Sequence, residues 1–157
     1  MPAERWLVTG ASGQLGGHVV AQLVRDVRSP DVLALTGRSP CGIENTAKQP
    51  IDLADDDAIR EVVRAFRPTH VIHLAAVTAV GVSRDDPQHA TRVNTHATRT
   101  LAEVAADVGA RLVFSSTDMV FDGGNAPYRE SDPPAPLSTY GRTKVSAITQ
   151  NRPRIIT

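Results

Sequence analysis

Apolar residues fall into two kinds of grouping along this chain. Short, nearly continuous runs alternate with longer stretches in which apolar positions recur every three or four residues. The runs are Trp6-Leu7-Val8, Val32-Leu33-Ala34-Leu35, Val71-Ile72-His73-Leu74-Ala75-Ala76 and Leu112-Val113-Phe114. Each stops at Thr, Gly, Ser or a small residue, the pattern of strands buried on both faces of a parallel sheet. A further short strand is predicted at Gln49-Pro50-Ile51, peripheral because of its proline, and a sixth at Arg154-Ile155-Ile156. Helical spacing covers Gln14 to Val27, through Leu15, Val19, Val20, Leu23, Val24 and Val27, and Ala58 to Phe66, through Ile59, Val62, Val63 and Phe66. A long helix is predicted from Gln88 to Val108, with Val93, Ala97, Leu101, Val104, Ala105 and Val108 on one face and Gly109 as its stop. A last helix runs from Ser138 to Gln150. Strands and helices therefore alternate without an internal repeat. This predicts one doubly wound α/β domain over residues 1–157, a parallel sheet of about six strands with helices on both faces.

Composition narrows the function. At 157 residues the chain can bury a substantial core. Lys plus Arg and Asp plus Glu balance at 17 each, and no basic stripe is interleaved with aromatics. Neither a nucleic acid nor a membrane surface is therefore expected as partner, and a small neutral or anionic ligand is. Cys41 is the single cysteine, in a Pro-Cys-Gly turn, which excludes an internal disulfide and fits a reducing compartment. The first residues run directly into Trp6, too short for a signal peptide, and the longest mostly apolar run, Val71 to Val82, is far below a spanning length. The expectation is a soluble, cytoplasmic protein. His18, His70, His73, His89 and His96 share no ligand spacing with carboxylates or with Cys41, so no metal is expected and His73 reads as a core histidine. Asp55-Asp56-Asp57 reads as helix-start charge.

Candidate chemistry lies at the strand ends. Between the first strand and helix is Gly10-Ala11-Ser12-Gly13-Gln14-Leu15-Gly16. Glycines so spaced suit a tight turn, close approach of backbone amides to a pyrophosphate, and close helix-to-strand packing. The second strand ends at Thr36-Gly37-Arg38 without the acidic residue that would hold an NAD ribose. Thr36 and Arg38 suit a 2′-phosphate, so NADP is favoured over NAD, the alternative being a solvated arginine in a turn. Asp52 follows the third strand where an adenine amino group could be met, and the small residues after the fourth allow a cofactor to approach the backbone. The fifth strand delivers Ser115, Ser116, Thr117 and Asp118 to its carboxyl end, and Asn94 sits near the seam of the long helix. Met119 to Leu137 is a long Gly- and Pro-rich loop of functional type. In the last helix Tyr140 and Lys144 lie one turn apart on one face. Bringing a phenol of pKa ~10 to neutrality needs roughly 4 kcal/mol, which one positive charge at ~4 Å supplies. Alone, a Tyr and a Lys at this spacing equally describe a solvated helix face.

With these elements in order, the chain resembles the extended short-chain dehydrogenase/reductases. It is most similar to their dTDP-4-dehydrorhamnose reductase branch, on Thr9 to Gly16, Ser116 to Gly123 and Pro127 to Lys144. The resemblance implies a Rossmann fold and reduction of a 4-keto group on a nucleotide-linked sugar by NAD(P)H. Tyr140 would donate the proton, Lys144 would lower its pKa and hold the nicotinamide ribose, and Thr117 would bond the reacting oxygen. Asn94 matches the structural and proton-relay asparagine. Gly10, Gly13, Gln14, Leu15 and Gly16 would hold the pyrophosphate, and Asp52 and Leu53 the adenine. Ala76, Val77, Thr78 and Ser115 would line the nicotinamide side, and Asp118 would touch the sugar. Departures from the branch are Thr36 where an acidic residue is frequent, Gly81 where many carry Asp, and Ala147-Ile148 where Gly-Glu follows. The resemblance covers about the N-terminal half of a family member, and the lobe that grips the nucleotide sugar would lie beyond Thr157. That implies exposed apolar surface and a possible homodimer. It also keeps open two other readings, a cofactor-binding regulatory or sensor module and a fragment of a longer reductase or epimerase.

Overall fold

The computed structural model describes residues 4–26, 31–37, 39, 41–44, 46–151 and 155–156. Strands β1 (Arg5–Thr9), β2 (Asp31–Thr36), β3 (Ala47–Pro50), β4 (His70–His73), β5 (Arg111–Phe114) and β6 (Ile155–Ile156) form one sheet in the order β3-β2-β1-β4-β5-β6. All five pairings are parallel. This is the doubly wound order with its reversal at β1, and it opens a crevice at the strands' carboxyl ends between β1 and β4. β3 lies at the edge, where Pro50 leaves no ladder partner wanting a donor. It begins two residues earlier than the Gln49 start read from the sequence.

Strand register aligns the buried layers. Leu7 faces Leu33 and Val71, and Val71 faces Leu112. On that face lie α2 (Asp56–Phe66), α5 (Ala97–Asp107) and α6 (Thr139–Asn151). Ile59, Val62 and Val63 of α2 and Leu101, Val104 and Ala105 of α5 close the larger core. Each fully buried aliphatic side chain contributes about 1.5–3 kcal/mol. The opposite face carries α1 (Gln14–Asp26), whose Val20 packs with Val8, Val32, Ala34 and Cys41. Cys41 is thus a core residue, 3% exposed, and not the incidental turn residue its neighbours suggest. The β2-to-β3 connection supplies no helix among the described residues, so this face is covered over β1 and β2 but open over β5, where Val113 is 41% exposed.

Local chemistry sets the helix ends. Asp55 caps α2, accepting from the amides of Asp57 and Ala58 at 3.0 Å, and Asp56 and Asp57 complement the first-turn dipole. Arg67, at φ 49°, closes α2 ahead of Pro68. The helix expected over 88–108 is compound. A short α3 (Val80–Asp85) precedes it, Asp86 caps α4 (Pro87–Thr91), and a π-helical segment, Arg92–His96, joins α4 to α5. Apolar periodicity hides the π segment, because it inserts one residue without changing composition. The residues Val27, Arg38 and Arg154 fall outside the described ones, and with Arg38 the proposed 2′-phosphate contact.

Candidate active site

The glycine loop makes the floor of the crevice. Gly10 has φ +70°, and a Cβ there would stand 2.7 Å from the Ala75 nitrogen. The loop can approach β4 this closely only without a side chain. A Cβ on Gly16 would meet the Gly10 carbonyl oxygen at 2.0 Å, so Gly16 lets α1 start tight against the loop. Gly13 donates to that same oxygen at 2.9 Å. Gly13 and Gln14 are exposed at the α1 N-terminus, the end of a helix that suits an anion. Leu15 is 57% exposed. It stands outside the apolar core face of α1, contrary to the helical spacing.

Above this floor lies a cleft of about 610 Å³. It brings together Gly10, Asp52, Leu53, Ala76 and Val77 of the expected cofactor residues, with Thr36 and Gly37 beside them. Asp52 is exposed, its Oδ1 accepting from the Ala54 amide at 2.9 Å. Thr9, Ile51, His89 and Val93 also line the cleft and were not among the expected cofactor residues. Thr78 is exposed just past it, and the half-buried Ser115 donates its amide to the His73 carbonyl at 3.3 Å.

Tyr140 and Lys144 both turn inward on α6, at 8% and 1% exposure, which removes the reading of a solvated face. The Lys144 Nζ stands 3.9 Å from the centroid of the Phe114 ring. Burial lowers its pKa to about 8. Burial raises the pKa of the Tyr140 phenol, with the neighbouring Thr117 side chain acting against it and the charge of Asp118 in the same direction as burial. Desolvation dominates the shift of the phenol, and the Lys144 ammonium packs on Phe114. A phenol held above its ordinary value is fully protonated at neutral pH, the form a proton donor needs.

Asn94 lies in the π segment, 1% exposed, with its side chain saturated. Its Oδ1 accepts from the Val77 amide at 2.8 Å. Its Nδ2 donates to the Val77 carbonyl at 3.1 Å and to Thr143 Oγ1 at 3.0 Å. Thr143 passes its own proton to the Tyr140 carbonyl at 2.7 Å, and Thr95 donates to the Thr143 carbonyl at 3.0 Å. One asparagine thus ties the cofactor cleft to the helix that bears Tyr140.

Thr117 and Asp118 introduce a 3-10 turn, Asp118–Val120, capped by Thr117 itself. They line a second cleft of about 710 Å³ with Phe121, Glu130, Asp132 and the α6 residues Val145 and Ile148. Gly141 sets its spacing to α6: a Cβ there would lie 2.2 Å from the Met119 carbonyl oxygen. The loop expected from Met119 to Leu137 is irregular but internally tied. Phe121 stacks on Tyr128 at 4.3 Å, Tyr128 donates to Asp122, and the Ala135 amide returns to the Val120 carbonyl at 2.9 Å. Gly141, Thr143 and Thr9 lie within the matching motifs but, like Thr98, were given no role of their own. An isolated glycine inside a helical pattern was the one available signal, for Gly141.

A β3-β2-β1-β4-β5-β6 parallel sheet, a glycine loop at its crevice and an inward Tyr/Lys pair beside Thr117 define an extended short-chain dehydrogenase/reductase domain. The family model described as the RmlD substrate binding domain matches residues 4–155, and the chain belongs to that family. It is 42% identical over 144 residues to a dTDP-4-dehydrorhamnose reductase of Streptomyces griseus, covering 91% of this chain and 43% of the relative. It is 37% identical over 147 residues to methionine adenosyltransferase 2 subunit beta of Pongo abelii, covering 92% and 42%. Among solved structures, the Thermus thermophilus UDP-glucose 4-epimerase complex with NAD superposes with a TM-score of 0.80 at 32% identity, covering 93% and 49%. The chain spans about half the length or less of each. No helix among the described residues is long and apolar enough to cross a membrane.

Proposed function

We propose that the chain is the cofactor-binding and proton-donating part of an NADP-dependent reductase of 4-keto sugars carried on a nucleotide. The observation that carries this is the buried Tyr140 phenol, held protonated by its burial beside Thr117, with Lys144 inward on the same helix. The cleft fits a dinucleotide: glycines where any Cβ would collide, the N-terminus of α1 beside them and small residues after β4. Residues 10 and 13–16 would hold the pyrophosphate, Asp52 and Leu53 the adenine, and Ala76, Val77, Thr78 and Ser115 the nicotinamide side. Bound there, NAD(P)H supplies a hydride to the carbonyl carbon. Tyr140 Oη then gives its proton to the carbonyl oxygen, Thr117 bonds that oxygen, Asp118 meets a sugar hydroxyl, and the product is the alcohol. NADP over NAD is supported by the absence of an acidic side chain at Thr36 and Gly37.

Turnover of a keto sugar nucleotide with NADPH, followed for the chain and for Tyr140→Phe, is the test. The phenyl variant should lose about 10²–10⁴-fold in rate with NADPH affinity little changed. Equal rates would refute the role of Tyr140. A second reading, a cofactor-binding regulatory subunit, is favoured by the likeness to a relative named methionine adenosyltransferase 2 subunit beta. Tight NADPH binding by fluorescence without turnover would select it.

A further inference from the structure

We propose that His73 is a positioning residue, its neutral Nε2–H ring joining the strand end that carries the glycine loop to the segment that holds Asn94 and Tyr140. This inference rests on the reading of Tyr140 as proton donor. The hydrogen-bond directions leave the imidazole one arrangement. Thr98 Oγ1 donates its only proton to the Asn94 carbonyl at 2.7 Å, so it can only accept from His73 Nε2, 3.0 Å away. Thr9 Oγ1 accepts from the amides of Leu74 and Ala75, both at 3.2 Å, and gives its proton to His73 Nδ1 at 2.6 Å.

The result is a directed run through four elements. It starts at Thr9, the residue before Gly10, crosses His73 on β4 and Thr98 on α5, and reaches the Asn94 carbonyl. Asn94 continues through Thr143 to the Tyr140 carbonyl, and through both side-chain polar atoms to Val77 in the cofactor cleft. Only a ring that accepts on one side and donates on the other can bridge the two hydroxyls. Protonation would remove the acceptor for Thr9. Burial disfavours it most, and the charged group acting on the ring, Lys144 of α6, opposes it too; the ring's pKa falls to about 3. Phe114 of β5 packs on the ring at 5.6 Å, and Thr9 and Thr98 close the remaining sides.

Two measurements test this, and the first needs no turnover. Long-range proton–nitrogen correlation on histidine-labelled protein should show His73 with a protonated Nε2 and a bare Nδ1, unchanged between about pH 5 and about pH 9. An Nδ1–H tautomer, or titration inside that window, would overturn the proposal. The second compares Thr98→Val, which breaks the run, with Thr98→Ser, which keeps the hydroxyl, in a Tyr128→Phe background that leaves Tyr140 the only tyrosine. Thr98→Val should move the Tyr140 titration by at least about half a pH unit and cut turnover about tenfold, with NADPH affinity within about threefold. Thr98→Ser should stay within about twofold of its parent. Equal behaviour of the two variants would overturn the positioning role. Absence of turnover in the parent would instead count against the proposed reductase, and the tyrosine titration would still decide this inference.

Discussion

Burying an ammonium against the Phe114 ring costs the folded chain stability. Lys144 has its pKa lowered from 10.5 to about 8, so at neutral pH the native state carries a penalty of about 3 kcal/mol relative to the unfolded chain. The unfolded state binds the extra proton between those two values, so stability from this group rises with pH across that window. Lys144→Met should therefore raise the urea midpoint at pH 7 by the equivalent of about 2–3 kcal/mol, an advantage that fades as pH rises from about 8 and is gone above the unfolded pKa. It should also abolish NADPH turnover, the pattern of a site maintained at the expense of stability. In the parent, reduction should decline as pH rises through about 8, where Lys144 loses its charge. His73 acts in acid. Its folded pKa of about 3 lies below the ordinary 6.5, so stability is full above the latter and falls as pH drops between the two, by up to roughly 5 kcal/mol. Urea midpoints taken between pH 7 and pH 4 should show that slope, and His73→Phe should flatten it.

At the scale of elements, close approach is set by missing side chains. In Gly141→Ala the new Cβ must push back the Met119 carbonyl, now 2.2 Å away, so α6 shifts from the 3-10 turn that carries Thr117. The gain of about 1 kcal/mol in helix propensity is outweighed, and a net loss of about 1–3 kcal/mol with sharply reduced turnover is expected by urea unfolding and NADPH oxidation. Strands and their alternation with helices were legible because parallel strands are apolar runs ended by small residues. The glycine loop and the Tyr140/Lys144 pair were legible because their spacing is local, whereas Asn94 was assigned its role by the family resemblance. The hydroxyls of Thr9, Thr98 and Thr143 were not, because a threonine on an apolar face reads as a substitute for valine until its partners, 64, 25 and 49 positions away in the chain, are known. The direction of the Tyr140 shift was also beyond reach, since it depends on how completely the fold strips water from the phenol. Arg38, the sequence argument for NADP, adds nothing structural here.

Over the whole molecule, the crevice draws on β1, β2, β3 and β4 together, so a cofactor bound there would link both halves of the sheet. NADPH at about 100 times its Kd should add about 2.7 kcal/mol and raise the melting temperature by roughly 5–10 °C, read by thermal shift. NADH should do less at equal concentration. The π segment has a consequence at this same scale. At Ala97 the amide reaches back five residues to the Arg92 carbonyl, where an ordinary helix reaches four. One surplus residue advances everything after it by about 100° around the helix axis. α4 and α5 are thus out of phase. Deleting a single residue between 92 and 96 would produce a more regular helix and a worse protein, with Asn94 rotated away from either Val77 or Thr143.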